Sequence, residues 1–96
     1  MEFEWDDHKE QVNIKKHGID FSIAARIFFD ENLMIRYDEE HSGDEDRYIA
    51  IGEVDNTLLI LLVSYTLRGE DEEIIRIISA RPADEEERRD YYGKAL

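Results

Sequence analysis

Cysteine is absent from this chain of 96 residues, so disulfides, thiolate zinc sites and a thiol nucleophile are excluded. Long apolar runs are also missing. The longest strongly apolar run, Leu58 to Val63, is far shorter than the roughly 20 residues that a membrane-spanning helix needs. The acidic start Met1-Glu2-Phe3-Glu4 lacks the pattern of a secretory signal. We therefore expect a soluble cytoplasmic protein that does not contact a membrane.

Positive charge is scarce in this chain. Twelve lysines and arginines face 25 aspartates and glutamates, which gives a formal net charge of -13. Broad, nonspecific binding to nucleic acid needs a cationic footprint, so this balance argues against it. The balance permits a local basic patch inside an acidic body, and it suits a partner with a basic surface.

The length and the hydrophobic content of 42% predict one domain over residues 1–96, with a single small core. Two helices are predicted first. One is capped by Asp6 or Asp7 and runs to about His17, where Gly18 stops it, and the other is capped by Asp20 or Ser22. The expected apolar stripe of the first helix is thin: Trp5, Val12 and Ile19. The second has a clear core-facing pattern: Phe21, Ala24, Ala25 and Phe28.

Four strands and a last helix follow in the predicted order. The strands are expected over 33–37, 47–53, 57–66 and 74–80, and the helix over 84–93. The question whether Phe3 and Trp5 form a short extra strand is left open. Because helices and strands are segregated along the chain, the sequence predicts an α+β fold with an antiparallel four-stranded sheet.

The segment 38–46, which holds six acidic residues and Gly43, is predicted to be a loop. Its carboxylates are of the type that binds a divalent cation. Their spacing does not match an EF-hand, so a solvated loop is the favoured interpretation.

The predicted strand from Ile74 to Arg81 carries two arginines, Arg76 and Arg81. A guanidinium on a core strand is costly to desolvate unless it is paired or faces a cleft. Its fork of donors also suits bidentate binding of phosphate. From residue types alone, ordinary pairing with nearby carboxylates is favoured. Alternation along a strand places the two side chains on opposite faces unless the strand bulges.

Arg47 and Arg68 lie at the ends of neighbouring predicted strands, so the four arginines are able to converge on one face or edge of the sheet. An aromatic side chain beside such a patch would stack on a base, and the candidates are Tyr65, Tyr91 and Tyr92. His17 falls in the last turn of the first helix, where a structural cation is more usual than a catalyst.

The chain resembles a known family over residues 3–92. Its opening signature is Trp5-Asp6, Lys9, Asn13, Lys16-His17-Gly18-Ile19, Phe21 and Ala24-Ala25. The later matching positions are Phe28, Arg47, Gly52, Tyr65-Thr66, Arg68, Arg76-Ile77-Ile78-Ser79-Ala80-Arg81, Ala83, Glu87-Arg88 and Tyr91. This combination resembles the BrnT-type toxins.

The resemblance implies a RelE-like fold and the activity of a ribonuclease toxin from a bacterial type II toxin–antitoxin pair. Such a toxin cleaves RNA and so inhibits translation. The implied partner is a BrnA-type antitoxin with a ribbon-helix-helix DNA-binding domain, in a complex of two toxins and two antitoxins. DNA is then contacted only through the antitoxin, and no cofactor or metal is expected.

Metal-independent cleavage of RNA needs cations around the phosphate, a proton acceptor and a proton donor. The resemblance supplies candidates for each role. The cation candidates, with Arg68 and Arg81 ranked first, are Arg68, Arg81, Arg76 and Arg47. His17 is the candidate acid or base because imidazole titrates near neutrality. The candidates for binding substrate are Lys16, Tyr65 and Tyr91, and the two tyrosines are also candidate proton donors.

Two acidic segments, 84–87 and 70–73, would repel an RNA backbone if they flank the site. They motivate a second hypothesis, in which the chain is an inactive BrnT-like fold that serves as an antitoxin-binding or other interaction module. A third hypothesis is a free-standing acidic scaffold without an antitoxin.

Overall fold

The structure is a computed structural model that describes residues 1–95, so the last residue of the predicted domain lies outside the described part. Its strands are β1 (Glu2–Glu4), β2 (Met34–Tyr37), β3 (Tyr48–Glu53), β4 (Ile60–Arg68) and β5 (Ile74–Pro82). Its helices are α1 (Asp7–His17), α2 (Phe21–Ala25), which continues into a 3-10 turn (Arg26–Phe29), and α3 (Glu85–Ala95). No helix among these residues has the length and apolar character to cross a membrane.

All five strands form one sheet in the order β1-β5-β4-β3-β2. The pairs among β2, β3, β4 and β5 are antiparallel, whereas β1 runs parallel to β5. This architecture confirms the predicted α+β fold, and the short N-terminal strand that the sequence left open is present at Glu2–Glu4. β4 differs most in its bounds: it runs from Ile60 to Arg68 rather than over residues 57–66, and it starts late because Asp55, Asn56 and Leu58 adopt left-handed backbone angles in the preceding turn. β5 also continues past its predicted end, to Pro82.

Side-chain caps fix the ends of the N-terminal helices as predicted. The Asp6 carboxylate accepts hydrogen bonds from the backbone N–H groups of His8 (2.8 Å) and Lys9 (3.4 Å). These bonds stabilise the ionised form and lower the pKa of Asp6. Gly18, with φ of +73°, ends α1 in the left-handed conformation that glycine adopts without strain. Asp20 caps α2 by accepting from Ile23 N–H at 2.8 Å.

The predicted apolar stripe on α1 is wrong at Val12, which is 52% exposed. The one buried residue of this helix is instead Asn13. Its Nδ2 donates to the carbonyls of Ile19 and Ala80, both at 2.9 Å, and its Oδ1 accepts from Ala80 N–H at 3.0 Å. A buried amide with three hydrogen bonds therefore fastens α1 to β5.

A bulge in β5 decides where its two arginines lie. Ile78 is an extra residue of β5 relative to β4, because the register shifts at this point. Arg76 lies opposite Thr66 and Arg81 lies opposite Leu62. These partners are an even number of positions apart on β4, so both arginines occupy the same face of the sheet.

The two faces of the sheet are covered by different elements. α2 and its 3-10 extension pack on the larger core, whose fully buried members include Phe21, Ile27 and Leu61. On the opposite face α3 covers a smaller cluster formed by Ile51, Ile60, Leu62 and Tyr91. This second cluster occupies only part of its face, and the rest of that face remains open.

Candidate active site

A cleft of about 670 Å³ lies between α1 and the open part of the sheet face. Its lining differs sharply in charge from the rest of the chain. Five of the 12 lysines and arginines line it, with all three histidines: Lys9, Lys16, Arg36, Arg47, Arg81, His8, His17 and His41. Only two of the 25 acidic residues do so, Asp38 and Glu87. The cleft is therefore a positive site within an acidic body.

Most cations of the cleft have no ionic partner. In the described part of the chain, no carboxylate lies within 4.0 Å of the charged groups of four of them: Lys9, Lys16, Arg36 and Arg47. Four of the five arginines outside the cleft each pair with an acid: Arg26, Arg68, Arg76 and Arg89. Unpaired cations in a chain with surplus acids are available to an anionic ligand.

Arg81 is the cleft cation that is already paired. Its Nη1 and Nη2 donate to Oε1 and Oε2 of Glu87 at 2.8 and 2.9 Å, a bidentate arrangement. The hydrogen bonds with Glu87 raise the pKa of Arg81, and those from Arg81 lower the pKa of Glu87. The positive charge of Arg36 lowers the pKa of Glu87 further. The pair orients the guanidinium of Arg81 at the cleft and fastens α3 to β5.

The structure brings four of the candidate site residues together at the cleft: Lys16, His17, Arg47 and Arg81. Arg68 and Arg76 do not line it. Arg68 pairs with Glu45 at 3.3 Å, and Arg76 pairs with Glu4 at 2.6 Å. These two arginines therefore form ordinary ion pairs with carboxylates.

The tyrosine candidates are also away from the cleft. Tyr65 is 3% exposed in the larger core, where it packs edge-on against Phe28 and stacks on Tyr48. Burial raises its pKa to about 12. Tyr91 is 2% exposed, and its hydroxyl donates to Asp30 at 2.5 Å. Burial raises the pKa of Tyr91, and the bond to Asp30 adds to that shift. Side chains packed in this way cannot stack on a base in this conformation, so neither tyrosine is available to a ligand in the cleft.

Three residues that were not predicted as site residues also line the cleft: Arg36, Lys9 and His41. Arg36 joins the cleft because Arg36, Ile49, Ser64 and Ser79 form one row across β2, β3, β4 and β5. The alternation of side chains along β2 shows which residues share a face with Arg36. Placing that face at the cleft also requires the register of every strand pair. Nothing in the sequence alone fixes that register.

The acidic loop between β2 and β3 is held by internal contacts. Tyr37 donates to Asp46 at 2.9 Å, and Ser42 Oγ donates to the Asp38 carbonyl at 2.7 Å. Ser42 Oγ also accepts the backbone N–H of Arg47 at 2.9 Å. No set of three His, Asp or Glu side chains in residues 1–95 is grouped so that it could hold a metal ion.

Comparison with known proteins gives a family and a related structure. Residues 5–87 match the family model described as the ribonuclease toxin BrnT of type II toxin–antitoxin systems. The crystal structure of the Brucella abortus ribonuclease toxin BrnT is 31% identical, with a TM-score of 0.66. The match covers 88% of this chain and 99% of that one. No curated protein sequence shows significant similarity to the chain.

Proposed function

Because the chain belongs to the BrnT family of ribonuclease toxins of type II toxin–antitoxin systems, we propose that it cleaves RNA in this cleft without a metal ion. Cleavage of RNA would inhibit translation. The observation that carries the proposal is the group of unpaired cations in the cleft of a chain whose net charge is -13. An RNA backbone is the anionic ligand that such a group suits.

The proposed chemistry assigns the cations to the phosphate. The ribose 2′-hydroxyl attacks the adjacent phosphorus, and negative charge develops on the nonbridging oxygens. Arg36, Arg47 and Arg81 stabilise that charge, since preorganised cations act most strongly where charge appears in the transition state. Lys9 and Lys16 both lie on α1, and they contact the flanking phosphates. His17 remains a candidate for proton transfer because it lines the same cleft.

The acidic segments that argued against an RNA site lie mostly off the cleft. Of residues 84–87, only Glu87 lines it, and none of residues 70–73 does. Glu87 is engaged by Arg81 rather than presented alone to the ligand. The repulsion expected from the sequence is therefore reduced to the long-range field of the acidic body, which salt screens beyond about 10 Å.

The proposed partner is a BrnA-type antitoxin with a ribbon-helix-helix domain, in a complex of two toxins and two antitoxins. DNA would be contacted only by the antitoxin. The alternative is an inactive BrnT-like fold that binds the antitoxin without cleaving RNA. The observation that favours this alternative is the Arg81–Glu87 pair, because a carboxylate already occupies one arginine of the cleft.

Expression of the chain alone in bacteria is expected to stop growth, because cleavage of RNA inhibits translation. Co-expression of the antitoxin encoded beside it is expected to restore growth. The measurement is a growth curve with and without induction, with the amount of folded protein checked in each culture. Normal growth in the presence of abundant folded protein would contradict the proposed activity. Tight antitoxin binding by a purified protein that leaves RNA intact would establish the binding module instead.

A further inference from the structure

We infer that His41, held by the carboxylate of Asp38, is the general base that activates the ribose 2′-hydroxyl. The inference rests on the proposed RNA cleavage and assigns a step of it to a residue that the sequence patterns did not single out. It is carried by a contact between two side chains at the cleft, His41 and Asp38.

The geometry of this pair suits a base. His41 Nδ1 lies 2.9 Å from Asp38 Oδ2, and the backbone N–H of His41 donates to Asp38 Oδ1 at 3.3 Å. A carboxylate beside Nδ1 selects the tautomer that carries its proton on Nδ1, so Nε2 keeps its lone pair. The same carboxylate stabilises the imidazolium that forms when Nε2 takes a proton.

Exposure divides the roles of the two side chains. The Asp38 side chain is 10% exposed, whereas that of His41 is 60% exposed. The buried partner thus fixes the ring, and the ring remains accessible to a substrate in the cleft. Asp38 is a positioning residue in this arrangement because it acts only through His41.

The other cleft histidines lack this support. In the part of the chain that the structure describes, His41 is the only histidine with a carboxylate within 4.0 Å of its ring. His8 and His17 make no side-chain hydrogen bond among those residues. An oriented imidazole is the better base, since proton transfer needs the acceptor within hydrogen-bond reach of the hydroxyl.

The loop that carries His41 is fastened at both ends. Asp38 N–H donates to the Arg47 carbonyl at 2.9 Å, which closes the loop at its base. This closure places the base His41 on the same short loop as the phosphate-binding candidate Arg47, and both line the cleft.

The proposed reaction is an attack of the ribose 2′-oxygen on the adjacent phosphorus, with His41 as the base. His41 Nε2 removes the proton of the 2′-hydroxyl, and the 2′-oxygen forms a bond to phosphorus. The bond between phosphorus and the 5′-oxygen breaks with its electron pair, and the 5′-oxygen takes a proton from water. The products are a 2′,3′-cyclic phosphate and a 5′-hydroxyl, and His41 returns its proton to the solvent.

The test compares RNA cleavage by the purified wild-type chain with that of His41→Ala and Asp38→Asn. His41→Ala is expected to lower the rate by about 10²-fold or more, the usual contribution of a general base. Added imidazole is expected to restore part of that activity. Asp38→Asn keeps an oxygen for the loop but loses the charge, so it is expected to lower the rate without rescue by imidazole.

Arg47→Ala is the matched control, because imidazole cannot replace a guanidinium and should rescue none of its loss. Wild-type cleavage with an unimpaired His41→Ala variant would overturn the assignment of His41 and leave the proposed function standing. An impaired His41→Ala variant that imidazole does not rescue would reduce His41 to a structural role. Absence of cleavage by the wild-type chain would overturn both the proposed function and this inference.

Discussion

Arg47→Ala is expected to lower the rate of RNA cleavage by about 10²- to 10³-fold, the loss typical of removing one donor to a developing oxyanion. Arg47 lines the cleft, and its guanidinium makes no hydrogen bond or ion pair within residues 1–95. Its removal should therefore leave the stability of the fold almost unchanged. The measurement is the initial rate of cleavage by purified protein, with thermal unfolding of each variant as a check.

Arg68→Ala is the matched control, and its rate should stay close to that of the wild type. Arg68 ends β4 on the same face but pairs with Glu45 outside the cleft. The sequence placed Arg68 among the first-ranked cation candidates, whereas the cleft includes Arg47 and excludes Arg68. Comparing the two variants therefore shows which of these two assignments is right. A loss at Arg68→Ala without a loss at Arg47→Ala would contradict the cleft as the site of cleavage.

Arg81→Ala is less informative, although Arg81 lies in the cleft. Its removal leaves the Glu87 carboxylate without its ionic partner, and the Glu87 side chain is largely buried. Removal of one partner of a buried pair is destabilising because the other charge is left without compensation. A loss of cleavage in that variant would therefore mix a loss of stability with a loss of chemistry.

Asn13→Ala is expected to lower the free energy of unfolding by about 3 kcal/mol. The change removes three buried hydrogen bonds and leaves backbone groups of Ile19 and Ala80 without their partner. Each unsatisfied buried group costs roughly 1–3 kcal/mol, and water entering the gap offsets part of the total. For a domain of this size such a loss corresponds to a fall in melting temperature of about 10–20 °C.

Val12→Ala is the control for this prediction because it alters the neighbouring residue of the same helix. Val12 is about half exposed, so its change should stay within about 0.5 kcal/mol of the wild type. Urea unfolding of the three proteins measures both values. A cost at Val12 as large as that at Asn13 would show that an apolar stripe, and not the amide, holds α1 on the sheet.

Much of the fold was predictable because its signals are local. Asp6 and Gly18 mark the ends of α1 through a side-chain cap and a left-handed angle, and both act within a few residues. The core-facing spacing of Phe21, Ala24 and Phe28 is likewise contained in one short segment. Apolar runs bounded by polar turn segments also placed the four antiparallel strands in the right segments of the chain.

The parts that escaped prediction depend on distant partners. Asn13 is buried because Ala80, 67 residues away, supplies both a donor and an acceptor. The bulge at Ile78 becomes visible only when β5 is paired with β4. Tyr65 belongs to a nearly continuous apolar strand, whose pattern does not say which side chains face the helices.

The candidate site also depends on contacts between residues that are distant in the sequence. Pairing with Glu45 and Glu4 removes Arg68 and Arg76 from the candidate cations, and each contact joins separate elements. The convergence of Lys16, His17, Arg47 and Arg81 on one cleft required both the bulge and the packing of α1. The resemblance to the toxin family named these residues as a set, but it could not separate the cleft residues from the others.

The most direct test uses a DNA oligonucleotide that contains a single ribose, incubated with the purified wild-type chain in excess chelator. The proposed chemistry predicts cleavage at the phosphate after that ribose, with a 2′,3′-cyclic phosphate on one product and a 5′-hydroxyl on the other. An all-deoxy oligonucleotide of the same sequence should remain intact. Failure to cleave the ribose-containing strand, or cleavage that requires a metal ion, would contradict metal-independent RNA cleavage in this cleft.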